Sequence, residues 1–301
     1  MKRVNLAVVV SLACFLLAGA ARASEPGVAE LTQRVAQAAR EKPDAFRAVS
    51  VIKRGVPTLD QKRRGPIAAV APMLKALKKD AFWPLVGEVL TGMKSDEFLP
   101  SARTAWAVGV LEALGALGDA QAAPAVLQAL RTESQPETVR AAAAALGQIH
   151  PDAADVLVPL ATHPGPMQLP VVAALAECRT LKAAKALAGL LAETEGDEAL
   201  GRTGAKALGE LASSWVWQRP AYAARPERKD LAAVAAQGLL TAFLRTTGQA
   251  RTVAERNLLV VDFDGTAALF EKAKAEHPEQ KAELDRLSAR LANNPLHDKV
   301  R

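Results

Sequence analysis

The chain has 301 residues, half of them hydrophobic and 23% charged, with a formal net charge of +6, which is the composition of a folded protein and not a disordered one. Alanine fills 64 positions while aromatic residues make up 4%. Alanine occupies helix positions at the lowest entropic cost, whereas strands favour the β-branched and aromatic side chains that are scarce here, so a sheet-dominated fold is disfavoured.

At the start of the chain, Lys2 and Arg3 precede an apolar run from Val4 to Ala18, and Ala21-Arg22-Ala23 supplies small residues before Ser24. These are the three parts of a secretory signal peptide over residues 1–23, with cleavage expected after Ala23. The run falls short of the ~20 residues that cross a bilayer, so no transmembrane span is expected in the mature chain. Ser11 stands where a lipobox ahead of Cys14 usually carries leucine, which argues against lipidation. The expected destination is the periplasm or the exterior. Removal of Lys2, Arg3 and Arg22 lowers the net charge from +6 to +3, and removal of Cys14 leaves Cys178 without an intramolecular disulfide partner.

Residues 24–100 read as an N-terminal helical cap or divergent repeats, with helices at Val28 to Arg40, Ile67 to Lys78 and Phe82 to Leu90. Between positions 53 and 79 stand Lys53, Arg54, Lys62, Arg63, Arg64, Lys75, Lys78 and Lys79 against the single acid Asp60. The first five are a candidate footprint for an anionic envelope component, such as lipid head groups or a cell-surface polymer. A solvated helix face with a basic loop is the simpler account. Nucleic acid is the weakest of these partners, because aromatic residues for base stacking do not interleave with the cations. Ser50-Val51-Ile52-Lys53, Ser95-Asp96-Glu97 and Arg202-Thr203-Gly204 faintly match the motif set of penicillin-interacting enzymes, but the third must lie on a strand and here falls within a helical pattern.

From Ser101 onward, helices of ten to fifteen residues alternate with Gly, Pro and Asp punctuation. The segment is self-similar. Leu114-Gly115-Ala116-Leu117-Gly118-Asp119 leads to Ala122-Ala123, Leu146-Gly147-Gln148-Ile149 to Ala153-Ala154, Leu175-Ala176-Glu177-Cys178 to Ala183-Ala184, and Leu259 to Ala267-Ala268, at offsets of eight, seven, eight and eight. Leu208-Gly209-Glu210-Leu211 repeats the first half, so the leading leucines lie 32, 29 and 33 residues apart. A period near thirty built from two helices predicts a solenoid, because neither helix can bury its apolar stripe alone. The first helix of a unit is exemplified by Thr138 to Ile149 and the turns by Gly118-Asp119 and His150-Pro151-Asp152. A second helix carries Val126, Leu127 and Leu130.

Val139-Arg140 with Ala144-Ala145-Leu146-Gly147, and the Leu-Gly-x-Leu-Gly-Asp of 114–119, resemble HEAT repeats of the short, bacterial, phycobilisome-lyase-like kind. The resemblance covers roughly residues 101–276. It implies an all-α, right-handed α-solenoid of about five to seven helix pairs, and a family that includes scaffolds, adaptors and a few enzymes. The repeats are assigned to 101–278, and 279–301 to a capping helix and tail with Leu284, Leu287 and Leu291 on one face.

An aromatic insertion at 213–229, Ser214-Trp215-Val216-Trp217-Gln218-Arg219-Pro220-Ala221-Tyr222 continuing through Arg225, occupies the place of the fourth unit's short turn. Trp215, Trp217, Arg219, Tyr222 and Arg225 are its candidate partner-binding residues, since these types dominate interface energetics. The competing reading folds the tryptophans over neighbouring helix ends.

Leu258 to Thr266 resembles the nucleophile motif of haloacid-dehalogenase-like phosphatases, with Asp262 as nucleophile and Asp264 as acid/base. The repeat reading instead ends a helix at Leu259, makes a turn at 262–265 and caps the next helix with Thr266. His150, His163, His277 and His297 lack metal-ligand spacing, and Cys178 reads as core. No catalytic residue, cofactor or metal is expected. The resulting expectation is an exported, non-enzymatic scaffold or adaptor for a protein partner of unknown identity, with a groove enzyme or an anion-binding module as alternatives.

Overall fold

The computed structural model describes residues 27–94, 98–194 and 196–294, and among these every regular element is helical. Residues 1–23, where a signal peptide is expected, Ser95-Asp96-Glu97 and His297 lie outside the described residues.

The N-terminal part comprises α1 (Val28–Glu41), α2 (Pro43–Gln61), α3 (Ala71–Ala76) and α4 (Phe82–Leu90). Proline opens α2 at a position where its missing N–H costs nothing. The helix expected over Ile67 to Lys78 is shorter than its apolar pattern suggests. Pro72 sits in the first turn of α3, where its missing N–H is tolerated, while Lys78 takes a left-handed φ of 56° and ends the helix.

The solenoid then runs through α5 (Pro100–Leu117) with α6 (Ala123–Thr132), and α7 (Pro136–Ile149) with α8 (Ala153–Thr162). Next come α9 (Gln168–Ala174), extended by a 3₁₀ turn at Leu175–Cys178, and α10 (Leu181–Glu193). Its fourth pair is α11 (Glu198–Leu211) with α14 (Arg228–Arg245), separated by the short α12 (Ser214–Trp217) and α13 (Pro220–Ala223). The fifth is α15 (Gly248–Val261) with α16 (Thr266–Glu276), and α17 (Lys281–Ala292) closes the array. First helices stack on first helices, α5 on α7, α7 on α9, α9 on α11 and α11 on α15, while α8, α10 and α14 form a second row. This is an all-α solenoid.

The expected turns have visible chemistry. Gly118 ends α5 at φ 67°, and Asp119 accepts a hydrogen bond from the Gln121 backbone N–H at 3.0 Å. His150 Nδ1 accepts one from the Asp152 N–H at 3.1 Å, and Thr180 caps α10 by accepting from the Ala183 N–H. The leading leucines Leu114, Leu146, Leu175 and Leu208 are all buried.

The glycine that follows three of them lies where the next unit comes close. A Cβ on Gly115 would lie 3.0 Å from Ala145 Cα, one on Gly147 3.1 Å from the Cys178 backbone nitrogen, and one on Gly209 2.0 Å from Asn257 Oδ1. In the third unit, where Ala176 replaces glycine, the helix gives way to the 3₁₀ turn.

Two expectations for the last unit are corrected. Ala267 and Ala268 are exposed, whereas the alanine pairs at 122–123, 153–154 and 183–184 are buried, and Leu258 is the buried leucine while Leu259 is half-buried. The offset match there is not structural, because α16 packs more against the closing helix than against α14 and leaves both alanines exposed. Thr266 is the first helical residue and not the cap. Gly265 precedes the helix, and the Thr266 hydroxyl donates back to the Phe263 carbonyl.

The closing helix buries Leu284 and Leu287 with Leu291 half-buried. It is pinned by Arg286 and Arg290 on the largely buried Glu255, and by Glu283 on Arg251, whose guanidinium stands 4.2 Å from the Phe243 ring centroid.

If close approach at the repeat glycine sets the stacking, Gly147→Val should destabilise by about 1–3 kcal/mol through overpacking. Gly189 lies inside α10 with nothing within 4 Å of the place an added methyl would take, so Gly189→Ala should stabilise by roughly 0.5–1 kcal/mol. Denaturant titration of both variants checks the pair.

Candidate interaction surface

The insertion begins where α11 ends. Ser213 and Ser214 are buried, and the Ser214 hydroxyl donates to the Val260 carbonyl at 2.9 Å, tying the segment to the last turn of α15. Trp217 lies 1% exposed, and its indole N–H donates to the Leu211 carbonyl at 2.9 Å. That carbonyl is one of the four left without an intrahelical partner at the end of α11, so the indole both fills the core and satisfies a helix end.

Around this anchor the rest of the insertion is layered outward. The Tyr222 ring centroid is 5.8 Å from that of Trp217, and the Arg225 guanidinium carbon is 5.0 Å from the Tyr222 centroid. Tyr222 is half-buried, Arg219 and Arg225 are exposed, and Trp215 is 46% exposed. Trp217 is therefore corrected from a partner-contact residue to a core residue, since its whole surface and its one polar atom are already used. The surface offered to solvent is Trp215, Arg219, the outer edge of Tyr222, and Arg225. Ser214, which the sequence gives no reason to single out, is the residue that holds the segment to the neighbouring pair.

The basic segment does not form one patch. Lys53 is half-buried and donates to Glu88 Oε2 at 2.7 Å and to the Lys94 carbonyl at 3.0 Å, with its ammonium 5.6 Å from the Trp106 ring centroid. The fully buried Trp106 gives its indole N–H to the same Glu88 oxygen at 3.0 Å. Arg63 pairs at 2.8 Å with the buried Asp60, whose other oxygen accepts from Ser101 at 2.5 Å. Lys53 and Arg63 thus neutralise Glu88 and Asp60, the two acids that accept hydrogen bonds from Trp106 and Ser101 of α5, which corrects their assignment to an anion footprint. Arg54, Lys62 and Arg64 remain exposed, with Arg54 and Lys62 separated by about 12 Å of helix.

The catalytic resemblances lose their structural context. Residues 258–261 belong to helix α15 and not to a strand, and Asp262 takes a left-handed φ of 47° at its end. Asp262 and Asp264 line a shallow cavity of about 280 Å³ with Phe263, Phe270, Ser288 and Leu291. Asn294, also unforeseen, closes this helix end by donating to the Leu259 carbonyl at 2.8 Å. Arg202 to Gly204 lie inside α11, and Ser50 is exposed on α2 while Lys53 is engaged by Glu88. Burial, aided by the adjacent Glu177, pushes the Cys178 thiol up to about 12, so it is not a nucleophile near neutrality. Among the described residues no group of His, Cys, Asp and Glu could hold a metal ion, and no helix is long and apolar enough to cross a membrane.

The two tryptophans of α12 should separate in mutagenesis. Trp217→Ala is expected to cost about 3–5 kcal/mol, as for other fully buried aromatics. Trp215→Ala should stay within about 0.5 kcal/mol, as is usual for surface changes. Thermal unfolding of the two variants is the measurement.

Residues 98–167, spanning α5 to α8, match the family model for HEAT repeats. No curated protein matches the chain. HEAT repeats generally serve as protein-interaction scaffolds, and the typical fold of this kind is non-catalytic. The match falls on the two units whose leucine, glycine and turn signatures are the most complete, so the chain carries HEAT repeats over this segment, and the same stacking of first helices continues through α15.

Proposed function

We propose that the protein is an exported, non-enzymatic adaptor that binds another protein in the periplasm or cell envelope, with the exposed part of the 213–229 insertion as its contact surface. The observation that carries this reading is the division of labour within α12. Trp217 is locked into the core through the Leu211 carbonyl, and this presents Trp215 outward at 46% exposure on a segment tethered by Ser214. A solvent-facing tryptophan on a preorganised segment is a good interface anchor, since little conformational freedom is lost when it is covered. Export rests on the sequence of residues 1–23 alone. An anionic envelope component at Arg54, Lys62 and Arg64 is the second reading, favoured by their exposure.

The test is affinity capture from an envelope extract with the wild type and with Trp215→Ala plus Arg219→Ala. At least a tenfold loss of capture, about 1.4 kcal/mol, is expected with the thermal midpoint held within a few degrees. Unchanged capture by the stable variant would remove the insertion as the site. N-terminal sequencing of the envelope-recovered protein should begin at Ser24, and an intact Met1 would overturn the cleavage.

A further inference from the structure

The insertion carries a charge imbalance that its own fold does not use. Between Ser214 and Lys229 stand Arg219, Arg225, Arg228 and Lys229 against Glu227. All four cations are exposed, and among the described residues none of them is ion-paired. Several arginines elsewhere are committed, Arg63 to Asp60, Arg251 to Glu283, and Arg286 and Arg290 to Glu255, while Arg54, Arg64, Arg103 and Arg256 are exposed like those of the insertion but are not gathered beside an exposed tryptophan. Arg228 and Lys229 also open α14, where the positive end of the helix dipole disfavours cations, so helix stability does not account for them. Arg225 rests against the Tyr222 ring at 5.0 Å, a contact that fixes its guanidinium while leaving the N–H fork without an acceptor from the described chain.

We infer that this surface takes an acidic protein segment, one that sets two or more Asp or Glu carboxylates against Arg219, Arg225 and Arg228 and an apolar side chain against Trp215. The inference rests on the insertion being the binding site and names the chemistry of its partner. Guanidinium forks match carboxylates with two parallel hydrogen bonds, and a fork held in place by an aromatic ring loses less freedom on forming them. An anionic membrane fits less well. The two helices of the insertion have four residues each and present one exposed large hydrophobic side chain, too little to make an apolar face that lies in a head-group layer.

The experiment uses the full chain and a fluorescent peptide of alternating glutamate and leucine, with phosphatidylglycerol vesicles in parallel. Peptide binding should weaken at least tenfold in Arg219→Gln/Arg225→Gln/Arg228→Gln, and should fall steeply between about 50 and 500 mM salt as screening shortens the reach of the charges. The equal-charge control Arg103→Gln/Lys185→Gln/Arg256→Gln, at exposed cations outside both candidate surfaces, should bind like the wild type. Equal weakening by the control would show attraction to net charge and overturn the assignment, as would the absence of peptide binding. Vesicle binding that depends on the same arginines, without peptide binding, would replace the acidic segment by a membrane. If Trp215→Ala abolishes capture of the envelope partner while the arginine variant captures it undiminished, the site stands and the acidic chemistry falls. If neither changes capture, the site itself falls.

Discussion

The architecture depends on how closely successive first helices approach. At Gly115, Gly147 and Gly209 the neighbouring unit stands where a side chain would begin, against Ala145, the 177–178 backbone and Asn257 respectively. An alanine-rich array has few large side chains with which to fill gaps, so its cohesion comes from backbone proximity and from many small contacts at short range. Polar pairs run along the same row. Glu112 and Arg140 lie 3.9 Å apart, Gln148 donates to Glu177 at 3.0 Å, and Arg179 donates to the Glu210 carbonyl. Exposed pairs of this kind contribute little each, but they bridge adjacent units in turn and favour one register over a slipped one.

The two ends are built differently from the middle. At the N-terminal end, Lys53, Glu88 and Trp106, with Arg63, Asp60 and Ser101, make two polar fasteners at the boundary with α5. At the other end, Glu255 and Arg251 hold α17. A carboxylate as buried as Asp60 or Glu255 is tolerated because cationic partners stand on it, and removing those cations would leave the buried acid uncompensated.

The fold was legible in the sequence where local chemistry and repeat period agree. Leu114-Gly115, Gly118-Asp119 and Leu146-Gly147 carry both the burial pattern and the turn signals, and the helices drawn from them match those observed. Legibility failed where tertiary partners decide. The short α3 reflects the left-handed Lys78, which interrupts an apolar pattern that looks continuous. The Ala267-Ala268 match is a coincidence of spacing, since α16 packs chiefly on α17 and turns both alanines to solvent. Trp215 and Trp217 are two residues apart and chemically identical, so composition could mark the insertion as unusual but could not tell which indole faces inward. That distinction comes from the Leu211 carbonyl. Likewise, a string of cations cannot reveal that Lys53 and Arg63 are bound to Glu88 and Asp60 from distant or buried positions.

The closing helix has a consequence for assembly. A stack of similar units has an end that resembles the surface its next unit would cover, and two such ends can join head to tail into an open filament. Here α17 turns Leu284 and Leu287 inward, engages Arg251, Lys274 and Glu255 through Glu283, Asp285 and Arg290, and leaves Lys281, Ala282 and Ala289 exposed. Its mixed charges offer an incoming chain no apolar stripe to continue. The helix therefore leaves no large apolar side chain exposed along its length, and a second copy stacking there would have little apolar surface to bury.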